Sequence, residues 1–144
     1  MAASTTITTK SRKRNGKKYF TLDEARRALP LVKRVVADIQ STQAHRLHLH
    51  SQLSDGLNQI SPVEQEHLQD DFQRATARLE SLIDELTKIG VDLKDPSRGL
   101  LDFPAQFQGR EVLLCWKADE ETIDHWHEVH SGFAGRKPIS QLQE

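Results

Sequence analysis

Residues 61–90 read SPVEQEHLQDDFQRATARLESLIDELTKIG and carry the signals of one long helix from end to end. Ser61 is suited to cap the first amides, Pro62 fits the first helical position, and Glu64 completes a capping box. Gly90 supplies the left-handed residue with which many helices end. Between these ends, apolar residues recur at spacings of three and four, which places them on one helical face: Leu68, Phe72, Ala75, Leu79, Leu82, Leu86 and Ile89.

A second long helix is predicted before this one. Thr21 and Glu24 form another capping box, and the apolar residues that follow share one face: Leu22, Ala25, Leu29, Val32, Val36 and Ile39. We expect this helix to run to about Leu57, with a kink or a fresh start at Pro30, because proline cannot donate to the carbonyl four residues earlier. Two helices of about 30 residues, each about 45 Å long and joined by a short loop, form an antiparallel helical hairpin.

The residues after the second helix have a different pattern. Two apolar runs, residues 100–105 and 111–117, flank a Gln-Gly turn, which predicts a β-hairpin. Asp119 is suited to cap a short helix over about residues 120–130, and glycines and a proline follow it. The predicted fold is therefore mainly α, a long antiparallel helical hairpin with a small β-hairpin and a short C-terminal helix packed at its base.

Charge is unevenly distributed along the chain. Residues 1–18 hold six of the 20 basic residues and none of the 21 acidic ones, so their formal charge is +6 and that of residues 19–144 is −7. The first 18 residues are also rich in Ser and Thr and poor in large apolar side chains, so they cannot offset the entropy of ordering. We expect a disordered basic tail over residues 1–18 and a single domain over residues 19–144.

Composition bounds the class of protein. Of the 144 residues, 36% are hydrophobic and 28% are charged, and no apolar run reaches the length of a transmembrane helix. We expect no membrane span and no secretory signal. Cys115 is the one cysteine, which excludes an intramolecular disulfide and makes a reducing cytoplasm the expected location. Its place within an apolar strand predicts a buried and inert thiol.

Candidate chemistry lies on the predicted last helix, whose apolar face carries His127 and His130. A buried imidazole needs a partner, and the acidic body offers several, including Glu120 and Asp124 on the same edge. Imidazole with carboxylate suits zinc, iron or manganese, so a divalent-metal or acid–base site at His127 is one interpretation. A hydrogen-bonded core histidine is the other.

Residues 132–137, GFAGRK, have the composition of an anion-binding loop. Their backbone amides and two cations are available to a phosphate or carboxylate group. They lack the glycine spacing and the following Ser or Thr of a P-loop, so nucleotide binding of that kind is not predicted.

Several segments of the chain together form a recognisable pattern: residues 19–25 (YFTLDEA) with Leu29-Pro30, 90–95 (GVDLKD), 98–105 (RGLLDFPA), 109–116 (GREVLLCW), 126–128 (WHE) and 132–136 (GFAGR). Over residues 19–139 the chain resembles the small bacterial family catalogued as domain of unknown function 2203. His127 and Glu128 fit that family's pattern, whereas the family usually has an acid at the position of His130. The resemblance implies no activity.

The resemblance does imply that polar residues of the C-terminal third are the place to look for a site. With the neighbouring Trp116, the candidate ligand-binding residues are Asp102, Trp116, His127, Glu128 and Arg136. The candidate metal ligands are His127, Glu128 and Asp124. No catalytic residue is predicted.

Three functions from different classes are compatible with these features. We favour a non-enzymatic interaction or self-association module, because a long hairpin buries one stripe within itself and can offer another to a partner helix or a second copy. The alternative is a metal- or small-ligand-binding protein with its site around His127 and Glu128. A third is nucleic-acid association through residues 1–18, driven by counterion release and therefore steeply dependent on salt.

Overall fold

The computed structural model describes residues 13–14, 17–55 and 59–142. Two long helices, α1 (Leu22–Asp55) and α2 (Pro62–Ile89), precede an antiparallel sheet of five strands that lie side by side in chain order. The strands of the chain are β1 (Lys13–Arg14), β2 (Lys17–Lys18), β3 (Asp92–Asp95), β4 (Leu100–Phe107), β5 (Arg110–Lys117), β6 (His125–Glu128) and β7 (Lys137–Pro138), of which β3 to β7 form the sheet.

Both predicted capping boxes are present, and they explain where the helices begin. At α1, the amide of Glu24 donates to Thr21 Oγ1 at 3.0 Å, and the amide of Thr21 donates back to Glu24 Oε1 at 2.9 Å. At α2, the amide of Glu64 donates to Ser61 Oγ at 3.1 Å. The predicted helical hairpin is therefore correct, and its first turns are stabilised by the side chains that the sequence indicated.

The other ends of the helices agree with the sequence in part. Gly90 ends α2 in the left-handed region with φ of +105°, and its amide donates to the carbonyl of Leu86. The first helix continues through Pro30 as one element, so the predicted fresh start there is wrong. It ends at Asp55, and the predicted end at Leu57 lies outside the described residues.

The hydrophobic core lies between the base of the hairpin and one side of the sheet, which we call the inner face. Strand alternation directs these inner-face residues to the helices: Leu101, Phe103, Ala105, Val112, Leu114, Trp116 and Trp126. They pack against helix residues up to Ile39 of α1 and from Leu79 of α2 onward. Phe20 joins them, with its ring edge-on to Phe103 at a centroid distance of 5.2 Å. The sheet therefore holds the half of the hairpin farthest from the helix–helix loop.

The C-terminal third corrects the predicted fold. The expected hairpin strands, residues 100–105 and 111–117, do pair, but as the centre of a five-stranded sheet instead of a small β-hairpin. The expected short C-terminal helix over residues 120–130 is wrong, because residues 125–128 form β6, paired with β5 and β7. Trp126 and His127 point to opposite sides of this strand, and both sides are buried. Adjacent buried residues also occur on the apolar face of a helix, so the sequence pattern did not distinguish the strand from a helix.

In the turn that precedes β6, backbone groups that would have formed the hydrogen bonds of the predicted helix have other partners. The carbonyl of Lys117 accepts from the amide of Glu120 at 2.8 Å, and the carbonyl of Glu120 accepts from the Trp116 indole at 2.9 Å. Asp119 forms an ion pair with Lys117 at 3.2 Å and caps no helix. These tertiary bonds replace a helical hydrogen-bond ladder.

The N-terminal segment is described only in part. Strands β1 and β2 pair antiparallel, with Lys13 opposite Lys18 and Arg14 opposite Lys17. Residues 1–12, 15 and 16 lie outside the described residues, so disorder of the tail over residues 1–18 stays a prediction. Within the described part of the chain, neither helix is both long and apolar enough to cross a bilayer.

Candidate functional site

The side of the sheet that faces away from the helices is also buried. We call it the outer face, and its central residues are Leu100, Asp102, Leu113, Cys115 and His127. Neither α1 nor α2 packs on it, because both lie against the inner face. Instead, residues from the segment that follows β6, including Gly132 and Phe133, line a cavity above it. The outer face is therefore covered by the segment after β6, which includes a short 3-10 helix at Phe133–Gly135, and polar side chains are enclosed there.

Asp102, Cys115 and His127 form a cluster on three neighbouring strands. Asp102 of β4 lies directly opposite Cys115 of β5. His127 of β6 lies diagonal to Cys115, because the register pairs it with Leu113. A carboxylate oxygen, the sulfur and a ring nitrogen lie within 4.8 Å of one another, and the three residues are 2%, 0% and 3% exposed. The sheet thus presents oxygen, sulfur and nitrogen donors at one buried point.

Both ring nitrogens of His127 have partners, and these fix the positions of its protons. Nδ1 lies 2.7 Å from the backbone carbonyl oxygen of Glu128, and Nε2 lies 3.1 Å from Oδ1 of Asp102. A carbonyl oxygen only accepts, so Nδ1 carries a hydrogen and donates it. A second proton lies between Nε2 and Oδ1, since two bare acceptors at this distance repel. The pair then has no net charge, which burial favours.

Burial also shifts the pKa values of the two acidic groups of the cluster. It raises the pKa of the Asp102 carboxyl, although the adjacent His127 opposes the effect. It raises the pKa of the Cys115 thiol to about 12, and the charge of Asp102 adds to that shift. Burial therefore acts against the charged form of both groups, and a bound cation would have the opposite effect.

A cavity of about 290 Å³ lies directly over the cluster. Asp102, Cys115 and His127 contribute to its floor, and Lys94 of β3 contributes to its wall. The remaining wall is mainly apolar, from Leu100, Leu113, Val129 and Phe133. Its volume is at the lower end of the range for small-ligand sites, and an apolar pocket with a few convergent polar groups is typical of such sites.

Two of the three predicted metal ligands lie away from this cluster. Glu128 follows His127 on the strand and points to the other side, where Arg110 binds its carboxylate with two hydrogen bonds of 2.9 and 2.7 Å. These bonds hold the pKa of Glu128 below its ordinary value. Asp124 is 62% exposed in its side chain and pairs with Arg26 at 3.5 Å. Of the predicted metal set, the cavity contains His127 alone.

The predicted ligand-binding residues divide in the same way. Asp102 and His127 meet in the cavity, as described. Trp116 lies on the inner face, buried among the core residues. Arg136 is nearly buried and contacts the carboxylate of Glu120 and the ring of His125, so it ties the covering segment to the turn before β6.

The sequence interpretation missed Cys115, which it treated as an inert core thiol. The signal was present in the turn between β4 and β5. Gln108 and Gly109 both have positive φ, at 52° and 77°, which is the geometry of a two-residue hairpin turn. A turn of that kind fixes the register and sets Asp102 opposite Cys115. The contribution of His127 was hidden because its segment was predicted to be helical.

The donor set determines what the cluster can do chemically. Thiolate, imidazole and carboxylate together suit a borderline-soft divalent ion such as zinc. A covalent role for the thiol needs a lowered pKa, and that of Cys115 is raised. Metal coordination removes this obstacle, because a coordinated thiol loses its proton.

Comparison with known proteins gives a family and no further relative. The model of the family described as "Uncharacterized conserved protein (DUF2203)" matches residues 18–139, which include both helices, the whole sheet and the cluster. No curated protein and no solved structure matches the chain. Because the match extends over most of the sequence, the chain belongs to the DUF2203 family.

Proposed function

We propose that this protein binds a divalent transition metal ion, with zinc the best fit, through Asp102, Cys115 and His127. The observation that carries the proposal is the convergence of three different donor atoms, all buried, within 4.8 Å on the floor of a cavity. The sequence interpretation of a metal site at His127 is kept. Its carboxylate ligand becomes Asp102 in place of Glu128 and Asp124.

The distances support coordination. Two ligands at about 2 Å from a tetrahedral ion are about 3.3 Å apart. Nε2 of His127 and Oδ1 of Asp102 are already 3.1 Å apart, and the sulfur of Cys115 is within 4.8 Å of both. Coordination of one ion by all three would require side-chain rotations that bring each donor to bonding distance. The ion then replaces the proton between Nε2 and Oδ1 and the proton of the thiol.

The second hydrogen bond of His127 also supports coordination. Metal-binding histidines usually donate their other ring N–H to a carbonyl or carboxylate, which fixes the tautomer and the ring orientation. Here the carbonyl of Glu128 accepts from Nδ1 and leaves Nε2 directed at the cluster. The acceptor belongs to the backbone, so this orientation does not depend on the Glu128 side chain.

Charge balance is favourable as well. One thiolate and one carboxylate neutralise a divalent cation, so the occupied site adds no net charge to the interior. Three protein ligands leave a tetrahedral ion one open position, as in catalytic zinc sites. Because Asp102, Cys115 and His127 line the cavity, an ion that they hold would be accessible from it to a further small molecule.

Metal content of designed variants tests this proposal. Untagged protein is stripped with a chelator, reloaded with zinc, desalted and analysed for zinc per chain. We expect about one zinc for the wild type and about a tenth of that or less for Cys115→Ala and His127→Gln. His130→Gln is the matched control, because His130 is exposed and only three residues from His127. It keeps the wild-type zinc content.

A second measurement covers the case in which a ligand variant fails to fold, which circular dichroism reveals. Cobalt-loaded wild-type protein should show a thiolate-to-metal charge-transfer band in the near ultraviolet, since Cys115 is the one cysteine. Zinc-free wild-type protein after reloading, or cobalt without that band, contradicts the proposal. Full zinc content in folded His127→Gln contradicts it too.

The other predicted functions have no specific support. The apolar stripes of the helices pack against each other and against the inner face. Among the described residues, the large apolar side chains that are exposed are four separate ones: Leu31, Leu47, Val63 and Val129. Single exposed residues of this kind are ordinary in monomers. Self-association or a partner helix along the hairpin, nucleic-acid binding by residues 1–18, and a cytoplasmic location all stay predictions.

A further inference from the structure

We propose that the cavity above the cluster binds a small organic carboxylate with an apolar body, whose carboxylate occupies the open metal position. This inference rests on the proposed metal site and adds the class of its ligand. Three features carry it: positive charge around Phe133 of its wall, a lysine in its lining, and apolar side chains over most of the remaining surface.

The positive charge comes from cations gathered around Phe133. The guanidinium carbons of Arg98 and Arg136 lie 5.0 and 4.6 Å from the ring centroid, and Nζ of Lys117 lies 5.8 Å from it. Phe133 itself lines the cavity. The ring of Phe133 therefore has cations from several elements around it, next to the cavity that it lines.

Two of these three cations form an ion pair with a carboxylate. Arg136 pairs with Glu120, and Lys117 pairs with Asp119 at 3.2 Å. Arg98 has no ion pair within the part of the chain that the structure describes, and its side chain only stacks on Phe133. Arg98 is thus a cation beside Phe133 that no ion pair among the described residues neutralises. An anion is the ligand that compensates it.

Lys94 sets the position of that anion. Its side chain lines the cavity and pairs with Asp92 at 2.8 Å. Lys94 is on the edge strand β3 and Arg98 is in the turn that follows it, so both cations come from one edge of the sheet. A carboxylate bound to the metal is therefore next to the cationic side, where an ammonium and a guanidinium group stabilise its charge.

The apolar walls separate this ligand from inorganic anions. Leu100, Leu113, Val129 and Phe133 offer no hydrogen-bond partner from their side chains, so the part of the ligand that contacts them is hydrocarbon. Phosphate or a very small acid leaves these walls without contacts. In a carboxylate with a compact apolar body, the charged group lies near the metal and the cations, and the hydrocarbon contacts the apolar walls.

The test uses cobalt-loaded protein and four probes: benzoate, benzamide, acetate and inorganic phosphate. The visible bands of cobalt report a new ligand at the metal without any activity assay. We expect benzoate to shift these bands with saturation, benzamide to leave them unchanged, and acetate to bind at least about tenfold more weakly than benzoate. Stronger binding of phosphate than of benzoate, or equal binding of acetate and benzoate, overturns the proposed ligand class.

Variants assign the binding to the cavity. Lys94→Met and Arg98→Met should each weaken benzoate binding by about tenfold and keep the wild-type cobalt content, because both side chains are exposed and neither is a metal ligand. Lys88→Met is the matched control, since Lys88 is an exposed lysine on α2 that pairs with Asp84, and it should bind benzoate as the wild type does.

The two proposals fail in different ways. Loss of the metal site appears as protein that takes up no cobalt, before any probe is added. Cobalt uptake with no response to benzoate, or with an equal response in Lys94→Met, Arg98→Met and the wild type, overturns the carboxylate inference and leaves the metal site in place.

Discussion

The inner and outer faces of the sheet are built from the same strands but bury different chemistry. Asp102 and Phe103 are neighbours on β4, both almost fully buried, and they point to opposite sides. Phe103 packs among apolar side chains under two helices, whereas Asp102 contacts an imidazole and a thiol under the segment after β6. Enclosing polar donors costs free energy that an apolar face does not require. The inner face therefore stabilises the fold, and the enclosed donors of the outer face are the groups on which the proposed metal site depends.

The largest expected effect lies on the inner face. Phe103→Ala removes a fully buried ring and its edge-on contact with Phe20. We expect the free energy of unfolding to fall by about 3–5 kcal/mol, because the rigid core between helices and sheet cannot collapse into the space. Urea denaturation of metal-free protein measures it. A loss of less than about 1 kcal/mol would mean that the helices do not depend on this face.

The second-largest effect is expected on the outer face, where the affinity for zinc should depend on pH. Zinc must displace the proton of Cys115, whose pKa is about 12, and the proton between Asp102 and His127. The affinity therefore rises with pH, by at least about tenfold per pH unit between roughly pH 6 and 8. Competition with a chelator of known affinity at several pH values measures the slope. A flat profile indicates that zinc is bound elsewhere.

A smaller effect is expected for Asp102→Asn in metal-free protein. The raised pKa of Asp102 favours the neutral acid, and an amide has nearly the same shape and donates to Nε2 of His127 in the same place. We expect the free energy of unfolding to change by about 1 kcal/mol or less, while zinc content falls. A loss of several kcal/mol would instead identify a buried ion pair with the imidazole.

The raised pKa of Asp102 also predicts how the stability of the metal-free protein depends on pH. A carboxyl whose folded pKa is raised holds its proton more tightly in the folded protein than in the unfolded chain. Its contribution to stability is present below its unfolded pKa and is lost as the pH rises through its folded pKa. Asp102→Asn should remove this component from the stability profile of the metal-free protein.

The smallest effect is expected for Glu128→Gln. Arg110 lowers the pKa of Glu128, so this carboxylate contributes stability above its unfolded pKa and loses it as the pH falls through the folded pKa. The pair is at the surface, where screening makes such contributions slight. We expect unchanged zinc content and a slightly weaker acid dependence of unfolding. Loss of zinc would return Glu128 to the metal site and contradict the geometry of β6.

The sequence predicts the helices well because their signals are local. The boxes at Thr21 and Ser61 and the stop at Gly90 act within one or two turns, and periodic apolar residues fill the space between them. The sheet is harder to predict, because residues 125–128 become a strand only through pairing with β5 and β7. Four residues are too few for periodicity to separate a strand from a helix.

The candidate site was predictable to the same degree. His127 stands out as an imidazole among apolar neighbours, and Asp102 as an acid inside an apolar run. The contact between Asp102 and His127, which are 25 residues apart, depends on strand register. The approach of Cys115 to Asp102 depends on it too. Glu128 is adjacent to His127 in sequence, yet strand alternation directs it to the opposite side, where it meets Arg110.

X-ray absorption spectroscopy of the zinc-loaded protein tests the metal site most directly, because it reports the atoms bound to the ion. Coordination by Asp102, Cys115 and His127 predicts one sulfur ligand at about 2.3 Å and nitrogen or oxygen ligands at about 2.0–2.2 Å. The sulfur can come only from Cys115 or from Met1, and Cys115→Ala should remove it. A zinc shell of nitrogen and oxygen alone would place the ion on surface histidines and contradict the account.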